Sequence, residues 1–79
     1  MDATEMRSIV EKSREKNTQE FINEMEELLW ICSHNGLKCG SKDYYPNSFP
    51  INVDKIIQYF NQLGYKVTDI DNNITVEID

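Results

Sequence analysis

The chain has 79 residues, 39% of them apolar and 28% charged, with 14 acidic against 8 basic side chains and a formal net charge of −6. So short a chain forms one domain, near the lower limit at which a core can be buried without a staple, and its aromatic and β-branched content excludes a disordered chain. The acidic balance disfavours ordinary nucleic-acid binding, because displacing counterions from a phosphate backbone takes Lys and Arg.

The N-terminus MDATEMRS has no positive leader followed by an apolar stretch, and no window approaches 18 apolar residues. A protein of the cytoplasm, with no membrane partner, is therefore expected, and the two cysteines are expected to be free thiols there. Arg7, Lys12, Arg14 and Lys16 alternate with Glu5, Glu11 and Glu15, as on a solvated helix face.

Residues 3–34 contain no Gly or Pro and are rich in Glu, Lys, Met, Leu and Gln, which predicts a helix with Asp2 or Thr4 as its cap. Phe21, Ile22, Met25, Leu28, Leu29 and Cys32 recur at three- and four-residue steps, a broad stripe that must face a core. Ala3, Met6, Ile9, Val10 and Ser13 form a weaker stripe. Between the two lies SREKNTQE, without an apolar side chain. The helix either runs through as a rod of ~45 Å or breaks at Asn17-Thr18; continuity or a slight kink is favoured. In both cases residues 1–17 form an arm projecting from a single domain of residues 1–79. So short a chain cannot cover both stripes, so Met6, Ile9, Val10 and Ser13 are expected to be a self-association surface, giving a homo-oligomer.

The stretch ICSHNGLKC contains the single histidine and both cysteines. As a zinc site it offers three ligands, Cys32, His34 and Cys39, without the close pair that lets one turn present two. As a nucleophile, Cys32 would sit at a helix C-terminus, which raises a thiol's pKa where catalysis needs it lowered. A helix terminus accounts for all of it: His34 and Asn35 close the helix and Gly36 supplies the left-handed turn. No metal, cofactor or catalytic residue is assigned. The carboxylates Glu20, Glu24 and Glu27 share a helix face, and Asp69, Asp71 and Asn73 have a D-x-D-x-N spacing. Neither set lies in a calcium loop, and a solvated face and turn chemistry explain them.

A strand is expected within Leu37 to Tyr45, loosened by Gly40, and Pro46 and Pro50 mark an exposed connection. Trp30, Tyr44, Tyr45 and Phe49 make this the most aromatic region, and they are the expected partner-binding residues unless they merely cap the core. A second helix follows, capped by Asn52 or Asp54, with Val53, Ile56, Ile57, Phe60 and Leu63 as its stripe and Gly64 as its left-handed end. Tyr65 to Ile70 and Ile74 to Ile78 then alternate as two strands joined through Asp71-Asn72-Asn73. The predicted class is α+β, in the order α-(β)-α-β-β, with the helices packed on one face of a small antiparallel sheet.

The ending LGYKVTDIDNNITVEID, through Leu63, Gly64, Tyr65, Val67, Ile74 and Thr75, with a charged opening helix DATEMRSIVEKSREKN, resembles small accessory proteins of tailed bacteriophages and prophages. It departs from them in ending Val76-Glu77-Ile78-Asp79 rather than on an aromatic residue, and in its longer insert CGSKDYYPNSFP. The resemblance implies a phage accessory protein acting in the bacterial host cytoplasm, and it carries over no catalytic residue. Three functions remain. One is a non-enzymatic interaction protein that self-associates and binds a host or viral protein partner. Another is an acidic decoy imitating nucleic acid. The third is an oligomer sequestering a small nucleotide-like signal at its junctions, for which Lys38, Lys42, Tyr44 and Tyr45 are the grouped candidates.

Overall fold

A computed structural model describes residues 1–78 of the chain. Its elements are α1 (Ala3–His34), β1 (Cys39–Asp43), α2 (Val53–Gln62), β2 (Lys66–Ile70) and β3 (Asn73–Glu77). The class is α+β and the element order is the expected one. The molecule is elongated, 51 × 22 × 19 Å, because α1 is one uninterrupted helix of 32 residues.

Each helix boundary has a local chemical cause. Asp2 caps α1 by accepting the N–H of Glu5 at 2.9 Å, and Asn52 caps α2 by accepting that of Lys55 at 3.2 Å. Both satisfy a donor that the first helical turn leaves without a partner. At the far end of α1 the chain turns through Gly36 at φ 79°, and the N–H of Leu37 returns to the carbonyl of Cys32 at 2.8 Å. The end of α2 repeats this with Gly64 at φ 94° and Tyr65 N–H on the Phe60 carbonyl at 3.1 Å. In both, a residue without Cβ takes the left-handed turn.

The three strands form an antiparallel sheet in the order β1-β3-β2, so the last strand lies in the middle. Ile70 pairs with Asn73, leaving Asp71 and Asn72, both at positive φ, as a two-residue hairpin loop. This geometry matches the strand twist and suits Asp and Asn. Asn73, expected in the turn, is the first residue of β3.

Alternation along the strands separates two faces. Gly40, Val67, Ile74 and Val76 face the helices, while Cys39, Ser41, Asp43, Lys66, Thr68, Ile70 and Glu77 are exposed on the other side. The core comprises Phe21, Ile22, Met25 and Leu29 from α1, Ile56 and Phe60 from α2, Ile74 and Val76 from β3, and Ile51 from the preceding loop. Of the other stripe residues, Leu28 and Val53 pack half-buried against this core, Cys32 and Ile57 are half-buried, and Leu63 is exposed because α2 ends one residue earlier. Gly40 does more than loosen its strand. A Cβ there would come within 3.2 Å of Leu28 Cγ, so its absence lets α1 seat directly on β1.

Candidate functional site

Every residue from Met1 to Lys16 is exposed. Met6, Ile9 and Val10 keep 52%, 48% and 58% of their surface in water, with Ser13 exposed beside them. On a helix turning about 100° per residue, these four side chains centre about 140° away from the line of Thr18, Ile22, Met25 and Leu29. What continues the core line into the arm is polar: Thr4, Arg7, Glu11 and Arg14. The apolar stripe of the arm is therefore a separate face, turned aside from its own domain.

The base of the arm is fixed by the segment entering α2. Asn17 Nδ2 donates to the Pro50 carbonyl at 3.1 Å. The hydroxyl of Thr18, which is 1% exposed, donates to the Arg14 carbonyl at 2.7 Å and accepts the N–H of Asn52 at 2.9 Å. These are the residues at which a break was conceivable. Here Thr18 bonds back to the preceding turn inside a continuous helix, and its oxygen serves the cap residue of the other helix. An open cleft of about 220 Å³ lined by Glu11, Arg14, Glu15, Thr18, Asn52 and Lys55 lies at this junction. Its lining carries two carboxylates and two cationic side chains, a balanced and open arrangement with no particular chemistry. The signal for this anchor in the sequence is slight: one threonine ahead of an apolar stripe.

The four aromatic candidates do not form one site. Tyr45 and Phe49 are 62% and 41% exposed and face each other across a turn closed by N–H bonds from Ser48 and Phe49 to the Tyr45 carbonyl, at 3.1 and 2.7 Å. That turn abuts Asn17 through Pro50. Trp30 is 63% exposed and lies about 20 Å further along α1, thirteen residues beyond Asn17 at 1.5 Å each. Its ring stacks on that of His34 at 4.0 Å. His34 Nδ1 lies 2.8 Å from the Trp30 carbonyl; since a carbonyl only accepts, that nitrogen carries a hydrogen. Trp30 also borders a cleft of about 290 Å³ with Glu26, Leu29, Ser33 and Tyr65.

Tyr44 packs against the core and its hydroxyl donates to both oxygens of Asp69, at 3.0 and 3.1 Å. Partial desolvation, then the Asp69 carboxylate, raises its pKa above the ordinary phenol value of 10. The Tyr59 hydroxyl donates to Glu26 at 3.0 Å, and that bond is the main cause of a similar rise. Both phenols serve as ties: Tyr44 joins the residue just after β1 to β2, and Tyr59 joins α2 to α1.

Lys42 is engaged as well: it pairs with Glu24 at 2.6 Å and lies over the Phe21 ring. With Tyr44 turned to the core and Tyr45 to solvent, Lys38, Lys42, Tyr44 and Tyr45 do not converge on one pocket. Cys32 and Cys39 are both free thiols. Among the described residues no three His, Cys, Asp or Glu side chains come together as metal ligands, and no helix is long and apolar enough to cross a membrane. Comparison with protein-family models, curated proteins and solved structures finds no match to this chain.

Proposed function

We propose that this chain is a non-enzymatic interaction protein, of the kind tailed phages encode as accessory proteins, that self-associates through its N-terminal helix and binds a host or viral protein through exposed aromatic side chains. The supporting observation is the arm itself: four turns of helix carrying Met6, Ile9, Val10 and Ser13 with no contact to cover them. An isolated helix of that length is marginal in water, and an apolar stripe kept outside the fold is stabilised when a second molecule covers it. The resemblance through Leu63, Gly64, Tyr65, Val67, Ile74 and Thr75 supports the phage assignment. Trp30 is the most exposed of the aromatic anchors, and aromatic residues dominate the energetics of protein contacts.

Amide hydrogen exchange over residues 4–16, followed across a hundredfold range of protein concentration, tests the self-association. Protection that grows with concentration in the arm, while the core amides stay constant, is the expected result. Exchange in the arm that is fast and independent of concentration contradicts it.

A further inference from the structure

We infer that the arms pair antiparallel in a two-fold dimer, and that the tip of each arm seats on the Tyr45–Phe49 turn of the other copy. This rests on the self-association proposed above and names what covers each surface.

The first argument is continuity. Asn17 lies on the same line of α1 as Met6, Val10 and Ser13, and it is there that the Pro50 carbonyl meets the helix. The stripe therefore runs inward along the arm and ends against the turn that exposes Tyr45 and Phe49. A parallel partner helix would have to continue past Asn17 into space the turn occupies, and would set the two turns against each other. An antiparallel partner ends where the space ends. Placing Ile9 against the second copy's Val10 sets Met6 opposite the second copy's Ser13 and brings the second copy's Met1 and Asp2 level with Asn17 and Thr18.

Area gives the second argument. A stable interface takes about 20 residues on each side, more than four stripe residues and their flanks provide. In the antiparallel arrangement the turn adds two aromatic side chains, and Met1, 83% exposed, comes level with them. Thioether and aromatic ring make favourable contacts of this kind.

Charge is compatible with the same arrangement. Glu5 and Lys16 share one flank of the stripe, and antiparallel pairing sets each Glu5 beside the second copy's Lys16. The other flank carries Arg7 and Arg14, with Glu11 between them at four- and three-residue spacing to moderate their repulsion. Trp30, at the opposite end of α1, stays uncovered and available to a different partner.

Disulfide trapping tests the geometry on the full chain. In a Cys32→Ala, Cys39→Ser background whose circular dichroism matches the original, Met6→Cys chains and Ser13→Cys chains are oxidised separately and mixed. Covalent dimers forming at least tenfold faster in the mixture than in either alone support antiparallel pairing. Faster trapping within each separate sample means parallel arms, which overturns this inference and leaves self-association standing. A monomeric mass for the unsubstituted chain overturns both. The turn is tested by Tyr45→Ser with Phe49→Ser: dimer dissociation at tenfold or more higher concentration is expected, and an unchanged dissociation constant excludes the turn from the interface.

Discussion

Thr18 and Asn52 are joined by a hydrogen bond of 2.9 Å in which the threonine hydroxyl accepts the backbone N–H of the residue that caps α2. The long helix thus holds the start of the short one through a buried oxygen, beside the bond from Asn17 to the Pro50 carbonyl. Replacing Thr18 with Val keeps the shape and leaves that N–H without its partner. A loss of about 1–3 kcal/mol in urea unfolding is expected, with faster exchange of the Asn52 amide. Unchanged stability would mean the bond contributes nothing.

Gly40 makes a second prediction about the seating of α1. In Gly40→Val the added side chain begins 3.2 Å from Leu28 Cγ and 3.4 Å from Leu29 Cδ2, so those two leucine side chains must shift by a few tenths of an ångström or α1 must lift from β1. Overpacking of this kind costs about 1–3 kcal/mol, measurable as a lower urea midpoint. A valine that stabilised the strand would show that α1 yields without cost.

The two raised phenols predict an alkaline transition with a definite sign. Because folding raises the pKa of Tyr44 and Tyr59, their contribution to stability is fully present below pH ~10 and is lost as pH rises through the raised values. Absorbance at 295 nm should show both ionising above the ordinary value of 10. Glu26→Ala should return Tyr59 most of the way, since the bond to Glu26 is its main cause. Asp69→Ala should return Tyr44 only in part, because desolvation remains.

Met25 and Met6 are the same residue type on one helix with opposite surroundings, fully buried and 52% exposed respectively. Met25→Ala should cost about 2–5 kcal/mol through lost burial and the cavity left behind. Met6→Ala should leave the stability of the folded domain within about 0.5 kcal/mol and instead weaken association. Equal losses in unfolding experiments at low concentration would contradict the separation of the two stripes.

Much of the fold was legible because local chemistry and hydrophobic period agreed. Asn52 and Gly64 bracket α2, Asp71-Asn72 make the hairpin, and Ile74 and Val76 alternate as a central strand must. At Asn17-Thr18 the same hydroxyl suits a helix start and a bond back to Arg14, and only the arrival of Pro50 and Asn52 from thirty residues away decides between them. Gly40 looked like a weakness in a strand for a similar reason: the side chains it admits, Leu28 and Leu29, are distant in sequence. Ile51 gave no periodic signal, being a single apolar residue after a proline, yet it is buried. The aromatic candidates were near one another in composition but not in space, since helix length, invisible as distance in a sequence, carries Trp30 away from Tyr45 and Phe49.

Sedimentation equilibrium of the full chain beside a Met6→Lys, Val10→Lys variant tests the central claim most directly, that the arm stripe is covered by a second copy. The account predicts twice the chain mass of 9.3 kDa for the original, and the single mass for the variant with its helical content retained above α1's arm. A single mass for the original chain at concentrations up to about 100 μM, or an undiminished dimer in the variant, contradicts it.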